Sequence, residues 1–461
     1  MQRGMLDAKT ITEMIGRDEI DTVLMVMPDQ QGRFMGKRLT GRYFVEDVLE
    51  GGEGAIHGCN YLLAVDMEME PLPGYTYANW DTGYGDLAMK PDLSTMRLLP
   101  WLEKTALVLC DAFDEETGEA VEVAPRQILR RQVERAKGAG YTVKCGSELE
   151  FYMFKDSFED AAGKHYRDLR PHSDYIMDYH ILQTTKDEYM IRQFRNHMDN
   201  AGVPVEFSKG EFGRGQHEIN LRYANALDMA DRHTIYKNGV KEIAALNGRA
   251  VTFMAKWSMT EAGSSCHLHS SVWDEDGSRS LMWDEGAPQH MSELFRRYLG
   301  GLMSTARELA WMFAPSVNSY KRYQAGSWAP TAIAWGHDNR TCGFRLVGEH
   351  SGLRIESRIP GADANPYFAF AATIAAGLHG IEHAIEPPEM FRGNAYEATD
   401  VPRVPTSLHE AIAEMERSDV GRKAFGDFVF EHLLNTARQE QIIFDNNSVT
   451  DWELIRYFER I

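Results

Sequence analysis

Apolar residues recur along the chain at two spacings, and each spacing predicts a different kind of element. The runs 22–27 and 34–38 flank a polar, glycine-containing turn at 29–32 and predict a β-hairpin. A further apolar run at 106–110 predicts a strand. We therefore expect the first hundred or so residues to form a small β-rich unit.

Beyond this unit, helical and strand-like spacings alternate. Helical periodicity begins at Pro125 and recurs at 188–201, 224–248, 291–313 and 366–385. Strand-like segments lie between these helices, at 141–154, 205–223, 253–273 and 341–359. Because no repeat or flexible linker interrupts them, the pattern predicts a compact α+β catalytic body.

The charge balance excludes one class of function. The chain has 461 residues, with 69 acidic and 49 basic side chains and a net charge of −20. Such a chain repels a phosphate backbone, so we expect no nucleic-acid partner. The hydrophobic fraction of 43% is typical of a soluble globular protein.

Two further features of the sequence bear on its location. The five cysteines are scattered and form no C-x-x-C pair, as expected in a reducing compartment. No apolar run approaches the length of a membrane span, and no signal-peptide pattern opens the chain. We expect a cytoplasmic protein with no membrane role.

The first candidate for chemistry is a pair of acids, Glu148 and Glu150, within an apolar strand-like segment. Residues two apart in a strand point to the same face of a sheet. The pair is either a solvated outer face or a pair of carboxylates held by cations. The apolar flanks favour the second interpretation.

The second candidate is the glycine-rich loop between Glu211 and Glu218, which could bring both acids toward one point. An ordinary turn with solvated charges remains the alternative. The third is the pair His267 and His269, which would share one strand face and suggests a metal or a phosphate. Purely structural histidines are the alternative there.

The fourth candidate is a series of arginines in a globally acidic chain: Arg322, Arg340, Arg345, Arg354 and Arg358. Surface salt bridges are one interpretation. Focused binding of phosphate or carboxylate groups is the other, because guanidinium groups match both anions.

These motifs, in this order, resemble the glutamine synthetase family over nearly the whole chain. The signature comprises Glu-x-Glu, the glycine loop with two acids, Gly-x-x-x-His-x-His, Asn-Ser-Tyr-Lys-Arg, Asn-Arg-x-x-x-x-Arg and Arg-Ile-Glu-x-Arg. The resemblance implies a small N-terminal β-grasp domain at 1–107. It also implies a large catalytic domain at 108–461, built on a curved antiparallel sheet with helices. Family members form homo-oligomeric rings, typically dodecamers of two stacked hexamers, with active sites between neighbouring subunits.

The resemblance also implies roles for individual residues. It implies two Mg²⁺ or Mn²⁺ ions, one held by Glu150, Glu211 and Glu218 and the other by Glu148, His267 and Glu356. The implied ATP-binding residues are Glu206, His269, Ser271, Arg340, Arg345 and Arg354. The implied glutamate-binding residues are Glu150, Gly263, His267, Arg322 and Arg358, and the implied catalytic residues are Arg340, Arg345 and Arg358.

The chemistry that the resemblance implies is an ATP-dependent carbon–nitrogen ligation. ATP transfers its γ-phosphoryl group to the side-chain carboxylate of glutamate, and an amine then attacks the acyl phosphate. The products are an amide, ADP and phosphate.

The chain differs from glutamine synthetase proper at the two acids that bind or deprotonate ammonium. Trp328 stands at the flap position of a glutamate, and the N-terminal aspartate motif aligns with 57–60. We therefore expect an organic amine as acceptor, with Trp328, His57 and Asn60 forming the amine pocket. This pattern is similar to that of the glutamate–amine ligases, or γ-glutamylamide synthetases, which act in amine and nitrogen assimilation.

Ethanolamine is the favoured acceptor, while a polyamine or another monoamine stays open because Asp66 or Glu68 could supply an anion. One alternative is glutamine synthetase proper, with Trp328 merely packing the flap. Another is a non-catalytic, ring-forming structural or regulatory homologue, although all six metal positions are filled. We expect no adenylylation of Tyr396, because the residues around it differ from those of relatives that are modified at this place.

Overall fold

The protein is described by a computed structural model that covers residues 3–51 and 54–461. Its strands form two sheets. The first sheet contains β1 Thr22–Pro28, β2 Phe34–Thr40, β3 Ile56–Cys59, β4 Asp86–Pro91, β5 Arg97–Leu98 and β6 Thr105–Asp114. The second contains β7 Thr142–Phe154, β8 Val205–Gly210, β9 Gln216–Leu221, β10 Ala224–Asn225, β11 Ala250–Thr252, β12 Cys266–Trp273, β13 Trp335–His337, β14 Phe344–Val347 and β15 Arg354–Ser357.

The first sheet has the strand order β2-β1-β6-β4-β3, with β5 paired to β6. The predicted hairpin is confirmed, since β1 and β2 are antiparallel from the pair Thr22–Thr40 to the pair Pro28–Phe34. In its turn, the Asp29 carboxylate accepts hydrogen bonds from the backbone nitrogens of Gln31 and Arg33, at 3.0 and 2.8 Å. The predicted strand at 106–110 lies within β6, which pairs in parallel with β1.

The second sheet is built around β7, a strand of 13 residues. The order is β13-β14-β15-β12-β7-β9-β8, with β10 and β11 also paired to β7. Every pairing in it is antiparallel except β13 with β14. This sheet carries the motifs singled out above, so the order of its strands decides which motifs meet.

The helices of the described residues pack around the two sheets. They are α1 Ala8–Gly16, α2 Gly41–Tyr43, α3 Pro125–Gly138, α4 Phe158–Gly163, α5 Ile181–Asn200, α6 Ala226–Leu246, α7 Glu293–Ser304, α8 Pro366–Glu382, α9 Leu408–Glu416, α10 Asp419–Phe425, α11 Asp427–Asn447 and α12 Asp451–Tyr457. The mixture of strands and helices confirms the predicted α+β class. None of these helices is long and apolar enough to cross a membrane.

The most buried helix is α8, which is apolar on all sides. Asn365 caps its first turn by accepting a hydrogen bond from the Tyr367 nitrogen, and Pro366 occupies the first helical position. The helix packs closely on α7 where glycines meet. A Cβ on Gly301 would lie 2.1 Å from the Ala376 carbonyl oxygen, so no larger residue fits this contact.

Three elements differ from the sequence-based boundaries. The helix predicted at 188–201 begins earlier, at Ile181, because its first apolar residues are exposed and hide the periodicity. The helix predicted at 291–313 ends at Ser304, and a separate 3₁₀ turn follows at Ala310–Met312. In the segment predicted as strand at 253–273, only β12 is a strand, and the residues before it form a loop.

A buried ion cluster joins the first sheet to the helices. The Arg126 side chain on α3 is 3% exposed and contacts Asp92, Asp111 and Asp231 at 2.7 to 2.9 Å. Asp111 lies on β6 and Asp231 lies on α6. Removing one partner of such a buried network leaves uncompensated charge, so the cluster fixes how these elements meet.

Candidate active site

A cavity of about 440 Å³ lies against the second sheet and collects most of the predicted site residues. The predicted residues that line it are Glu148, Glu150, Glu211, Glu218, Gly263, His267, Arg322, Trp328, Arg340, Arg345, Glu356 and Arg358. The sequence places them up to 210 positions apart, between Glu148 and Arg358. The second sheet therefore brings distant parts of the chain together at this cavity.

The strand register explains how these side chains meet. On β7, Glu150 lies directly opposite Glu218 of β9, and Glu148 lies opposite His267 of β12. Side chains two residues apart in a strand point to the same face of the sheet, and so do directly opposed residues of paired strands. All four of these side chains therefore point to one face. Directly opposed residues have closely spaced Cβ atoms, so the acids and the histidine form a compact group.

Three acids form the first cluster. Ligand oxygens of Glu150, Glu211 and Glu218 lie within 4.8 Å of one another. Burial and then repulsion by Glu211 raise the pKa of Glu150 to about 8, and the same two causes raise the pKa of Glu218. Such acids cannot all ionise without a nearby cation, and oxygen ligands at this spacing fit a divalent ion such as Mg²⁺.

Glu150 is held in place by residues that the sequence analysis did not single out. Its carboxylate accepts hydrogen bonds from the Ser265 nitrogen at 2.7 Å, from the Ser265 hydroxyl and from the Gln216 amide at 3.0 Å. Both residues lie inside quoted motifs, so their polar character was a usable signal. A single serine or glutamine nevertheless carries little information by itself.

A second cluster lies beside the first. The His267 Nδ1 is 3.2 Å from a Glu148 oxygen and 3.5 Å from a Glu356 oxygen. Ligand atoms of Glu148 also group with those of His269 and Glu356. Burial and the charge of Arg358 lower the pKa of His267 to about 4, so its ring is neutral at pH 7 and keeps a lone pair for a ligand.

Glu356 is fully buried between two arginines. Arg345 and Arg358 each donate a hydrogen bond to one of its oxygens, both at 2.6 Å. Charge-assisted bonds of this kind hold the carboxylate ionised and fix both guanidinium groups at the cavity wall. Arg340 also lines the cavity, and its side chain is half exposed.

Arg322 is almost completely buried and depends on Gly263. A Cβ on Gly263 would lie 2.4 Å from Arg322 Cγ, so only glycine leaves room for this side chain. The guanidinium donates hydrogen bonds to the carbonyl oxygens of Arg358, Ile359 and Pro360. These bonds orient the Arg322 guanidinium group at the cavity wall.

A second cavity, of about 310 Å³, adjoins the first. The predicted ATP-binding residues that line it are Glu206, His269, Ser271 and Arg354. Arg354 Nε donates to His269 Nδ1 at 3.0 Å. Glu148 and Asn220 line both cavities, so the two spaces share a wall on β7 and β9.

The predicted amine-pocket residues are divided. Trp328 lines the first cavity, half exposed, with its ring edge-on to Phe212 at a centroid distance of 5.9 Å. His57 and Asn60 lie on the first sheet and its adjoining turn, where His57 Nδ1 is 3.1 Å from a Glu115 oxygen. Neither is among the described residues that line the cavity of this chain.

Two charged residues of the cavity were missed by the sequence analysis. Lys209 Nζ contacts a Glu211 oxygen and lies 3.6 Å from an Asp178 oxygen. Lys209 lies on β8, two residues before Glu211, whereas Asp178 lies three residues before α5, in a segment without a recognisable pattern. No local signal connects Asp178 to residues more than 30 positions away.

Tyr396 is not on an exposed tip. Its hydroxyl is buried, and burial raises the pKa of this side chain. The same side chain lies close enough to Arg358 and Arg322 to feel their charges. A buried hydroxyl is a poor target for a modifying enzyme, and the absence of adenylylation at Tyr396 stays a prediction.

Comparison with known proteins agrees with this geometry. Residues 122–457 match the family described as glutamine synthetase, catalytic domain. Gamma-glutamylethanolamide synthetase GlnA4 of Streptomyces coelicolor is 50% identical over 456 residues, covering 99% of this chain and 96% of the relative. Glutamate–isopropylamine ligase of a Pseudomonas species is 37% identical over 455 residues, covering 98% of each.

A solved structure of a GmaS/ADP complex has a TM-score of 0.84 and 26% sequence identity. The match covers 97% of this chain and 99% of that one. The resemblance and the fold predicted from the motifs are thus confirmed. The chain belongs to the glutamine synthetase family and is a ligase of that family.

Proposed function

We propose that this protein is a glutamate–amine ligase that joins the γ-carboxylate of glutamate to a small organic amine, with ethanolamine favoured. The relatives that span almost the whole chain support this proposal, because one is named for a glutamyl ethanolamide product and the other for the ligation of isopropylamine to glutamate. The observation that carries it is the half-exposed Trp328 ring in the cavity, at the flap position where glutamine synthetase proper has an acid.

In the proposed reaction, a γ-carboxylate oxygen of glutamate attacks the γ-phosphorus of ATP, and the bond to the ADP oxygen breaks. The ammonium form of the acceptor first loses a proton to solvent. The free amine nitrogen then attacks the acyl carbon, the bond to phosphate breaks, and the nitrogen loses a second proton to solvent. Phosphate is a far better leaving group than the oxide of a free carboxylate, which is why activation must come first.

The residues of this chain would bind the nucleotide in one cavity and glutamate in the other. Glu206, His269, Ser271 and Arg354 would hold the nucleotide in the second cavity, next to the wall that both cavities share. In the first cavity, Gly263 leaves space for Arg322, and Arg322 and Arg358 would hold the glutamate. Arg340 and Arg345 would offset the charge that develops on the transferred phosphoryl group.

The acid clusters fit divalent cations. Glu150, Glu211 and Glu218 would hold one Mg²⁺ or Mn²⁺ ion, since these buried acids need a cation to ionise together. Glu148, His267 and Glu356 would hold the other. When bound, such ions neutralise phosphate oxygens and polarise the group that is transferred.

We also propose a dodecamer of two hexameric rings in the cytoplasm. Because His57 and Asn60 lie away from the cavity of their own chain, we assign them to the active site of a neighbouring subunit. Mass photometry would then show a particle of twelve chains. A monomer that retains full activity would overturn the shared site.

The function is tested by measuring phosphate release with glutamate, Mg-ATP and one acceptor at a time. The acceptors are ammonium, ethanolamine, isopropylamine, putrescine and spermine, with mass spectrometry of each product. We expect the highest kcat/KM with ethanolamine and a γ-glutamylethanolamide product. A higher kcat/KM with ammonium than with every organic amine would instead support glutamine synthetase proper.

A further inference from the structure

Asp178, a residue outside the predicted motifs, lies at the cavity where the acceptor amine would bind. Asp178 lines the same cavity as Trp328, Glu150 and Arg358, and its side chain is 36% exposed. Among the described residues, its closest charged partner is Lys209, whose Nζ lies 3.6 Å from Asp178 Oδ1. This distance is longer than a hydrogen bond, so the carboxylate retains capacity to accept one from a ligand.

Exposed aromatic side chains line the same cavity as this carboxylate. Tyr179, Phe207, Phe212 and Trp328 all line the cavity, and each is at least 42% exposed. Large apolar side chains are seldom left exposed together without a ligand or partner. Aromatic faces attract ammonium groups, and aromatic edges and faces also pack against alkyl carbons.

Two of these aromatic residues adopt a backbone conformation that bulky side chains rarely adopt. Tyr179 has φ 57° and Trp328 has φ 66°, both in the left-handed region. Such strain persists where the surrounding structure demands it, and it is concentrated at functional sites. Here both strained residues line the same cavity, on segments that are far apart in sequence.

The surroundings of Lys209 indicate which ligand groups this part of the cavity stabilises. Its side chain is a primary ammonium on an alkyl stem, as the acceptor amine would be. The Nζ lies between the carboxylates of Asp178 and Glu211 and 4.3 Å from the centroid of the Tyr179 ring. A second alkylammonium at this wall would meet the same kinds of group.

We propose that Asp178 binds the ammonium group of the incoming amine, while the rings of Phe212 and Trp328 pack against its alkyl carbons. This inference rests on the proposed function, because it names the group that selects the acceptor. Lys209 supplies one positive charge to the carboxylates of Asp178 and Glu211, so one negative charge remains to match a single ammonium group. The arrangement therefore favours monoamines and leaves the second charge of a diamine without a dedicated partner.

The test compares wild type with Asp178→Asn and with a matched control, Asp174→Asn. Asp174 lies on the same segment, but its side chain is 84% exposed and pairs with Lys155. We expect Asp178→Asn to raise the KM for ethanolamine about tenfold or more, because a charge-assisted hydrogen bond is lost. The KM values for glutamate and ATP should stay within about twofold, as should all constants of the control.

Two further measurements separate this role from others. Propylamine carries the same ammonium but lacks the hydroxyl, so the loss in Asp178→Asn should be equal for propylamine and ethanolamine. A loss confined to ethanolamine would overturn the proposal, because Asp178 would then bind the hydroxyl. The increase in Tm on adding Mg-ADP should be unchanged, which shows that the variant is folded and binds nucleotide.

The remaining outcomes are also decisive. Asp178→Glu keeps the charge and should recover part of the affinity for the amine. Unchanged amine KM in Asp178→Asn overturns the role of Asp178 while leaving the proposed function intact. Failure of the wild type to use any organic amine overturns the proposed function itself, and the inference with it.

Discussion

Glu150 on β7 and Glu218 on β9 lie directly opposite each other, and both carboxyl groups are buried. Burial and the charge of Glu211 raise the pKa of both groups above the usual value for glutamate. The register of two strands has therefore created a site that is stable only with protons or with a cation. This relationship determines how the metal-free protein responds to pH.

We predict that acidification from pH 8 to about pH 6.5 stabilises the metal-free protein, whereas below that range the lowered pKa of His267 acts in the opposite direction. The folded state keeps protons on Glu150 between the usual pKa of 4.5 and its raised value of about 8, whereas the unfolded chain releases them. The free energy of unfolding should therefore fall as pH rises from about 6.5 to 8, by about 1.4 kcal/mol per pH unit for each retained proton. Denaturant titrations in EDTA over this range measure the slope.

A matched pair of variants isolates the effect from other titrating groups. Glu150→Gln should flatten the slope, and Glu349→Gln, at an exposed position, should leave it unchanged. Added Mg²⁺ should stabilise the protein more at pH 8 than at pH 5, because protons compete with the ion. An identical slope in wild type and Glu150→Gln would contradict the prediction.

We predict that Glu356→Gln is both inactive and less stable. The change leaves Arg345 and Arg358 beside a neutral amide, so two guanidinium groups lose the carboxylate that neutralises them. The free energy of unfolding should fall by about 3 kcal/mol, and kcat/KM should fall by at least about 100-fold. Chemical denaturation and phosphate-release assays check the two parts, with Glu349→Gln as the control.

We predict that Gly263→Ala weakens glutamate binding. The added methyl would meet Arg322 Cγ at 2.4 Å and the Ala255 carbonyl oxygen at 2.8 Å, so Arg322 must move. The KM for glutamate should rise about tenfold, and overpacking should lower the free energy of unfolding by about 1 to 3 kcal/mol. At Gly138 an added Cβ meets nothing within 4 Å, so Gly138→Ala serves as the control.

We predict that Trp328→Glu shifts the acceptor preference toward ammonium. The change places a carboxylate where the proposed amine wall now has a ring, next to Phe212. The kcat/KM should rise about tenfold for ammonium and fall about tenfold for ethanolamine. Trp452→Glu, at an exposed position on α12, should change neither value. Equal losses with both acceptors would mean that Trp328 serves only the packing of the flap.

The periodicity of the sequence predicted the elements that carry the site. The in-phase acids Glu148 and Glu150 lie on β7, and His267 and His269 lie on β12, as their spacing indicated. Their pairing across strands could not be predicted from local pattern, since register is set by contacts between segments more than 100 residues apart. The resemblance to a known family supplied that connection.

Other features lacked a signal of their own. The hydrogen bonds that fix Glu150 come from Ser265, just before β12, and from Gln216, the first residue of β9, and neither residue type announces such a role. Asp178 lies in a loop whose sequence predicts no contact with Lys209 of β8. Helix α5 begins with exposed apolar residues, so its amphipathic pattern emerges only in later turns.

The placement of residues on strands or on loops has a consequence for how such enzymes diverge. Glu148, Glu150 and Glu356 are on paired strands, where a substitution disturbs several neighbours at once. Asp178 and Trp328 are on connecting segments that are not part of either sheet. In the proposed reaction, descendants of this chain exchange one acceptor for another by altering a few connecting residues, while the strand residues assigned to the activation of glutamate stay unchanged.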